Sequence, residues 1–161
     1  NRIGSVGTLE FAMVIGKVGK NISEENAQDH VFGYCVVNDI SERSWQKERG
    51  GQWIKGKSIA GPCGPYLVTK DEIKDVNNLN LSLDVNGERR QTGNTERMIF
   101  NFNFLISHIS QFITLYPGTI ITTGTPAGTA MEMVKPKFLQ IGDKLSLKVD
   151  QLGVQNHVVS E

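Results

Sequence analysis

The amino-acid sequence predicts an α+β fold, a β-roll or β-sandwich with a few helices. Strand-like apolar segments outnumber helical ones, and a strictly alternating segment ends in Asn86-Gly87, a dipeptide typical of a tight antiparallel hairpin. Only one stretch, residues 94–118, has the apolar spacing of a long helix. Because the strands connect through hairpins instead of alternating with helices, antiparallel sheet layers are expected rather than βαβ repeats.

The first half of the chain contains two predicted buried strands. "LEFAMVIG" (9–16) is a short apolar run closed by glycine, and "VFGYCVVN" (31–38) is a second apolar run. Between them, "SEENAQDH" (23–30) predicts a short helix with Ser23 as its N-cap and acidic residues near its N-terminus.

The second half of the chain begins with the predicted hairpin. The apolar residues of "LNLSLDV" (79–85) alternate onto one face, and "ERRQT" (88–92) is the predicted return strand. Further on, "TIITTGTPAGTA" (119–130) predicts a strand that runs into a loop. "DKLSLKVDQLGVQNHVVS" (143–160) predicts a final hairpin that turns near Gly153.

The predicted long helix lies within residues 94–118, where Pro117-Gly118 would end it. Its apolar face is defined by residues that recur at intervals of three and four positions: Met98, Phe102, Leu105, Ile109 and Phe112. We predict that this face packs on a sheet and that Phe102, Leu105 and Ile109 are buried.

Length and composition indicate one globular domain. The 161 residues contain no repeat or linker, so residues 1–161 are predicted to form a single domain. Lys and Arg number 17, as do Asp and Glu, and this zero net charge indicates neither nucleic acid nor a membrane surface as a partner. No apolar run approaches the roughly 18 residues of a membrane helix, and the first residues lack a signal-peptide centre. A cytoplasmic location is expected.

The sulfur and imidazole side chains give no site by spacing alone. Cys35 and Cys63 are too few for a disulfide framework in a domain of this size, so free thiols in a reducing compartment are expected. The three histidines share no ligand spacing and are expected to be structural or surface residues.

The segment "GQWIKGKS" (51–58) matches the phosphate-loop pattern G-x-x-x-x-G-K-[ST] in full. That pattern binds phosphate only where a buried strand precedes it and a helix follows it. Here a polar stretch precedes it, and Pro62 and Pro65 prevent a helix from starting at Ser58. A nucleotide-binding function is therefore not expected.

Two carboxylates stand at conspicuous positions in the predicted strands. Glu10 interrupts an apolar strand, where it either faces outward or has a partner, and Asp39 follows the second strand, where it either marks a turn or binds something. If the two strands are neighbours, both carboxylates could meet at one end of the sheet. Two carboxylates with open positions suit a hard divalent cation, above all Mg²⁺.

Five motifs resemble the fumarylacetoacetate hydrolase family in order and spacing over residues 8–160. The motifs are "LEFAMVIGKVGKNISEENAQDHVFGYCVVNDISERSWQ", "GGQWIKGKS", "GPCGPYLVT", "VNGERRQTGNTERMIF" and "LYPGTIITTGTPAGT". The resemblance implies a mixed β-roll, a homodimer and a Mg²⁺, Mn²⁺ or Ca²⁺ ion held by a Glu-x-Glu pair and an Asp. It also implies activity on a small 2-oxo acid with a second carbonyl, such as an acylpyruvate in aromatic catabolism.

The resemblance assigns roles to individual residues. It implies that Glu10, as the second Glu of the pair, and Asp39 are metal ligands. It implies substrate contacts for Arg43, Gln46 and Thr125, and for Lys57 a catalytic position near the metal and the substrate.

The sequence departs from the family pattern at three places. Thr8 stands where the first Glu of the pair is expected, the Ile59–Ala60 junction is two residues short, and no upstream segment carries the His and Glu of a catalytic lid. Either residues are absent from the sequence or the chain is a degenerate member. Because active-site loops are where mobile residues concentrate, omission is favoured.

The sequence therefore predicts a metal-dependent hydrolase that cleaves a carbon–carbon bond in an acylpyruvate-like or fumarylpyruvate-like 2-oxo acid. An isomerase, hydratase or decarboxylase acting on a related 2-oxo diacid would use similar chemistry. A catalytically weakened binding scaffold is a further alternative, because Thr8 is a weaker ligand than a carboxylate.

Overall fold

The computed structural model describes residues 4–48 and 61–160. Its strands form two four-stranded sheets, in the orders β3-β2-β1-β6 and β5-β4-β7-β8, and every strand pairing among these residues is antiparallel. The strands are β1 (Ser5–Ile15), β2 (Val31–Glu42), β3 (Val68–Thr69), β4 (Asn80–Val85), β5 (Glu88–Asn94), β6 (Ile120–Thr122), β7 (Lys144–Val149) and β8 (Gly153–Val158). This architecture confirms the predicted α+β fold class.

Among the residues that the structure describes, helical structure is limited to short elements. Two α-helices are described, α1 (Arg43–Glu48) and α2 (Phe102–Phe112). Single 3₁₀ segments occupy Glu24–His30, Lys70–Glu72, Thr95–Arg97 and Ala130–Glu132. Within the described residues, no helix has both the length and the apolar character needed to span a membrane.

The main core lies between the two sheets. Odd-numbered residues of β1, among them Leu9, Phe11 and Met13, pack there against Leu83 of β4 and Leu147 of β7. Because side chains alternate along a strand, the even-numbered residues of β1 point to the opposite face of the first sheet. The same strand therefore supports the core on one side and a separate surface on the other.

Both predicted hairpins are confirmed. Asn86 and Gly87 have positive φ angles of 52° and 78°, as a tight turn of this kind requires, and they connect β4 to β5. The final hairpin pairs β7 with β8, and Gly153 at its turn has a φ of 87°.

The predicted helix at residues 23–30 is a 3₁₀ segment. The Ser23 side chain makes no capping hydrogen bond; instead its main-chain carbonyl accepts from Asn26 N at 3.1 Å. Strand β2 begins directly at Val31, which leaves room for only seven helical residues, and tight helices of this kind are common in such short connections.

The long helix is shorter than predicted. Helix α2 begins at Phe102, where the Asn101 side chain accepts a hydrogen bond from Phe104 N at 2.8 Å, and ends at Phe112, five residues before Pro117. The preceding residues complete β5, form a 3₁₀ segment and connect to the helix. The local turn chemistry of Asn94, whose side chain accepts from Glu96 N, replaces the helical start that the apolar spacing indicated.

The predicted buried face of α2 is only partly correct. Phe102 is buried as predicted, whereas Leu105 and Ile109 are half-buried at the edge of the core and Phe112 is 69% exposed. The buried row is Phe102, Ile106 and Ser110. The Ser110 hydroxyl accepts a hydrogen bond from Ile22 N at 2.9 Å, so this row, and not the predicted one, faces the protein interior. Apolar spacing does not reveal such a contact.

Candidate active site

The pairing of β1 with β2 brings the two predicted carboxylates together. Thr8 lies directly opposite Asp39, and Glu10 lies opposite Val37. Alternation along both strands therefore places Thr8, Glu10 and Asp39 on the same face of the sheet, away from the main core. The two strands are neighbours, as the hypothesis required, but the meeting at a strand end is wrong: Glu10 lies in the middle of β1, and β2 continues past Asp39 to Glu42.

Glu10 is a buried carboxylate whose pKa is raised above its ordinary value. It is 6% exposed, and its Oε2 accepts a hydrogen bond from Gly124 N at 3.0 Å. Burial raises the pKa of Glu10, and the negative charge of Asp39 and a hydrogen bond with that side chain raise it further. The Gly124 N–H and the Thr122 side chain lower this pKa but do not offset the rise.

A small apolar cluster covers the neighbouring part of the same face. Its members are Ala12 and Val14 of β1 and Cys35 and Val37 of β2. This cluster keeps water from one side of the carboxylate pair, which explains the desolvation of Glu10. Glu10 is buried and Asp39 is half-buried, so ionising both carboxylates is costly, and a bound cation is one arrangement that would neutralise them.

Thr8 does not supply a third charge to this group. It is buried, and its hydroxyl donates to the main-chain carbonyl of Asp39 at 3.0 Å. Among the described residues, no group of three His, Cys, Asp or Glu side chains has the arrangement of a metal site. Glu10 and Asp39 are two carboxylates in contact on this face of the sheet. Two carboxylates with positions left for water or substrate are an arrangement that Mg²⁺ accepts.

Thr125 lies in the loop that follows β6, next to the residue that binds Glu10. Its hydroxyl donates to the Leu9 carbonyl at 2.8 Å and accepts from Gln91 Nε2 at 2.8 Å. The hydroxyl proton is therefore already used within the protein. Thr125 and Gly124 also line a cavity of about 510 Å³ whose other wall is formed by residues 92–100, and neither carboxylate borders that cavity.

Arg43 and Gln46 are brought together at the start of α1, which directly follows β2. Arg43 Nη1 donates to Gln46 Oε1 at 2.6 Å, and Gln46 is 1% exposed. Arg43 Nε and Gln46 Nε2 are buried and have no hydrogen-bond partner among the described residues. Buried donors of this kind are rare in folded proteins and are available to a ligand or to water.

Lys57, the phosphate-loop pattern at 51–58 and the Ile59–Ala60 junction lie outside the described residues. The structure therefore places five of the six predicted site residues. Glu10 is in hydrogen-bond contact with Asp39, and Arg43 with Gln46. Thr125 is linked to Glu10 only through its neighbour Gly124, whose N–H donates to the Glu10 carboxylate.

The site also contains residues that sequence reasoning missed. Gly124 binds Glu10 through its main chain, and Gln91 of the second sheet binds the loop that carries Gly124. The signal that could have indicated Gln91 is its place in the quoted motif "VNGERRQTG", where a polar residue in a hairpin strand needs hydrogen-bond partners if it is buried.

Comparison with known proteins identifies related chains. The model of the fumarylacetoacetate hydrolase C-terminal domain matches residues 7–160. A Burkholderia ambifaria protein is 50% identical to this chain over 158 residues, and it is named only provisionally as a hydrolase. The match covers 94% of this chain and 56% of that protein. The chain thus spans about half the length of the curated relatives it matches.

Solved structures give the same result. A fumarylacetoacetate hydrolase from Exiguobacterium antarcticum superposes with a TM-score of 0.92 at 37% identity, over 97% of this chain and 56% of that one. A 2-hydroxyhepta-2,4-diene-1,7-dioate isomerase from Mycobacterium marinum superposes with a TM-score of 0.84 at 34% identity, over 94% of this chain and 57% of that one. A maleylpyruvate hydrolase from Sphingobium superposes with a TM-score of 0.84 at 29% identity, over 96% of this chain and 54% of that one.

We predict that the Glu10→Gln variant is more stable than the parent at pH 7 when divalent cations are removed with a chelator. The glutamine oxygen can still accept from Gly124, and the charge is gone. Because the folded chain holds the Glu10 proton more tightly than the unfolded chain does, ionisation opposes folding as the pH rises above the ordinary pKa of 4.5.

Thermal melts at several pH values measure this effect. The advantage of Glu10→Gln should be present at pH 7 and should shrink toward zero as the pH falls below 4.5. Glu24→Gln, on an exposed 3₁₀ segment, is the control and should show no such trend. A lower melting temperature for Glu10→Gln than for the parent at pH 7 would contradict the prediction.

Proposed function

This chain belongs to the fumarylacetoacetate hydrolase family, and from that membership we propose that Glu10 and Asp39 form the metal centre of an enzyme that cleaves a carbon–carbon bond in an acylpyruvate-like 2-oxo acid. The observation that carries the proposal is the contact between the buried carboxylate of Glu10 and that of Asp39 on one face of the first sheet. Mg²⁺ is the proposed ion, with Mn²⁺ or Ca²⁺ as substitutes. When bound, the ion would polarise the 2-oxo group and orient the substrate carboxylate.

The chain's own residues would position the substrate and stabilise charge. Arg43 Nε and Gln46 Nε2 are buried donors whose proposed partners are substrate oxygens. The hydroxyl proton of Thr125 is held by Leu9, so its proposed contact with an anionic group would have to come from a main-chain N–H.

Lys57 is the proposed source of positive charge where negative charge develops as the bond breaks. Hydrolysis also needs a base that takes a proton from the attacking water. The family resemblance implies that this base stands on a segment upstream of β1, so the proposal is tested on a protein that includes such a segment, called here the longer protein.

An isomerase is the second candidate. The observation that favours it is the similarity to the Mycobacterium marinum isomerase, which is 34% identical to this chain. Hydrolysis of an acylpyruvate releases pyruvate and a second acid, whereas isomerisation gives one product of unchanged mass. Mass spectrometry of the reaction mixture therefore separates the two activities, and a protein that binds the 2-oxo acid without converting it would be a scaffold.

We predict that the longer protein releases pyruvate from an acylpyruvate only with a divalent cation present. In Asp39→Ala, Mn²⁺ binding measured by calorimetry should be lost, because the charge of the ion dominates such a site.

In Lys57→Met, kcat should fall by about 10²–10³ with a smaller change in KM, because the lysine acts mainly on the transition state.

Two exposed residues supply the controls for these variants. Asp29 lies on a 3₁₀ segment and Lys148 on the outer side of β7. The variants Asp29→Ala and Lys148→Met should both leave Mn²⁺ binding and kcat unchanged. Equal Mn²⁺ affinity in Asp39→Ala and the parent would remove Asp39 from the metal centre. A kcat within about threefold of the parent in Lys57→Met would remove the lysine from the mechanism.

A homodimer is also proposed, and the outer side of α2 supports it. Phe100, Phe104, His108 and Phe112 form a continuous aromatic row there, with ring centroids 4.7 to 5.6 Å apart. Helix α2 contains no Asp, Glu, Lys or Arg, so two copies could meet without like-charge repulsion. A monomer mass by sedimentation equilibrium at micromolar concentration would contradict this proposal.

A further inference from the structure

Gln91 is a buried side chain of the second sheet that reaches across to the first sheet. It lies on β5 and is 1% exposed. Its Oε1 accepts from Leu9 N at 3.0 Å, and its Nε2 donates to Thr125 Oγ1 at 2.8 Å and to the Pro126 carbonyl at 2.7 Å. Both donor positions of the amide nitrogen are thus used, and all three contacts lie beside Glu10 or its partner loop.

These contacts replace a missing strand pairing. Strand β6 pairs with β1 only from Ala12 to Val14, so the main-chain groups of Leu9 on that side have no strand neighbour. Gln91 takes the Leu9 N–H, and Thr125 donates to the Leu9 carbonyl at 2.8 Å. Side chains therefore continue the edge of the sheet where the strand has ended, which satisfies groups that would otherwise be buried without partners.

The same contacts determine where Gly124 lies. Leu9 directly precedes Glu10, and Thr125 directly follows Gly124, whose N–H donates to Glu10 Oε2 at 3.0 Å. Gln91 joins the main chain of Leu9 to the side chain of Thr125, so it closes a ring that contains both ends of the Gly124–Glu10 hydrogen bond. Moving the loop away from β1 would free the carboxylate to rotate.

We propose that Gln91 is a positioning residue for the metal centre. It holds residues 123–126 against β1, and the Gly124 N–H then keeps the Glu10 carboxylate in the orientation that a cation shared with Asp39 requires. This inference rests on the proposed metal-binding function. Residues that orient metal ligands without touching the metal typically change affinity by 10–100-fold when they are substituted.

The test is the affinity of the longer protein for Mn²⁺, measured by calorimetry without substrate. Gln91→Met retains the length of the side chain and removes all three hydrogen bonds. We expect the dissociation constant to rise by about 10–100-fold. Hydrogen exchange at residues 123–125 in the metal-free protein should also become faster, because the loop has lost its attachment to β5.

The matched control is Thr95→Val, at the end of the same strand pair. Thr95 is buried, donates to the Val76 carbonyl at 2.7 Å and accepts from Leu79 N at 2.9 Å, so its loss also removes buried hydrogen bonds. It should lower the melting temperature and leave the Mn²⁺ dissociation constant within about threefold of the parent, because its contacts do not reach the loop.

Three outcomes are distinguishable. If the parent binds Mn²⁺ and Gln91→Met binds it equally well, the positioning role is wrong while the metal centre stands. If the parent does not bind Mn²⁺, the metal centre fails and this inference fails with it. If Gln91→Met does not fold, Thr125→Val is the second variant, because it removes the loop's bonds to Leu9 and to Gln91 with less loss of packing and leaves only the Gln91–Pro126 bond. A rise in the Mn²⁺ dissociation constant is expected there too, and unchanged affinity overturns the inference.

Cys35 and Cys63 provide a separate observation. Their Sγ atoms lie 3.1 Å apart, with Cys35 buried in β2 and Cys63 exposed. The segment that carries Cys63 is fixed beside β2, since Asn38 N donates to the Pro62 carbonyl at 3.0 Å and Gly64 N donates to the Val36 carbonyl at 2.9 Å. The contact between the two sulfur atoms is therefore built into the fold.

The two thiols differ in accessibility and reactivity. Burial, together with the adjacent Cys63 thiol, raises the pKa of Cys35 to about 12, so little Cys35 thiolate exists near neutral pH. The exposed Cys63 is the thiol that a dissolved oxidant meets first.

We infer that this pair is a modification site that a hydroperoxide converts to a disulfide. The Cys63 thiolate attacks a peroxide oxygen, the O–O bond breaks, and a sulfenic acid forms while hydroxide (from hydrogen peroxide) or an alkoxide (from an organic hydroperoxide) leaves. The Cys35 sulfur then attacks the Cys63 sulfur, the S–O bond breaks, and water leaves with the Cys35 proton. The two thiols supply the two electrons that reduce the peroxide.

Intact-mass measurement after treatment with hydrogen peroxide tests this inference on the longer protein. The parent should lose two hydrogens in mass, peptide mapping should join Cys35 to Cys63, and a dithiol reductant should reverse the change. Cys35→Ser should instead gain oxygen at Cys63, and Cys63→Ser should leave Cys35 unmodified. Gain of oxygen by the parent without a Cys35–Cys63 link would overturn the inference.

Discussion

The antiparallel pairing of β1 with β2 is the interaction on which the candidate site depends. Its register places Thr8 opposite Asp39 and Glu10 opposite Val37, so both carboxylates face the same way. A slip of one residue would turn Asp39 to the opposite face of the sheet and separate the pair. The core between the sheets opposes such a slip, because the slip would also turn Tyr34 and Val36 of β2 out of that core.

The candidate site opposes the stability that this pairing provides. Glu10 is desolvated and lies beside another carboxylate, and Arg43 and Gln46 retain buried nitrogens without partners among the described residues. Each of these features costs free energy in the absence of a ligand. Glu10 lies in the middle of β1 and Arg43 directly follows β2, so these costs are distributed along the β1–β2 pair. Natural proteins typically retain such costs where a binding site needs them.

Sequence patterns predicted the strands, hairpins and carboxylates better than the helix and the loop attachments. Turn chemistry at Asn86-Gly87 and the apolar runs of β1 and β2 are local signals, and all three were confirmed. The start and the buried face of α2 were wrong because Asn94 and Ser110 form hydrogen bonds that apolar spacing does not register. Metal binding and the role of Lys57 stay predictions.

Gln91 escaped prediction for a different reason. An uninterrupted two-residue hairpin would place Arg90 opposite Leu83, whereas the observed register pairs Leu83 with Gln91. The extra residue is a bulge, and it reverses which side chains of β5 point inward beyond that position. Sequence alternation alone therefore assigns Gln91 to the outer face, and only the three-dimensional structure shows that it lies between the sheets.

The alternation along β1 has a consequence for how this fold can change over evolution. Odd-numbered positions carry the packing of the core, while even-numbered positions carry Thr8 and Glu10. A substitution at an even position can alter the charge offered to a ligand without disturbing the inter-sheet core. Thr8, which stands where the family resemblance implies a carboxylate, is an instance of such a change. One strand thus lets selection on chemistry and selection on folding proceed at separate residues.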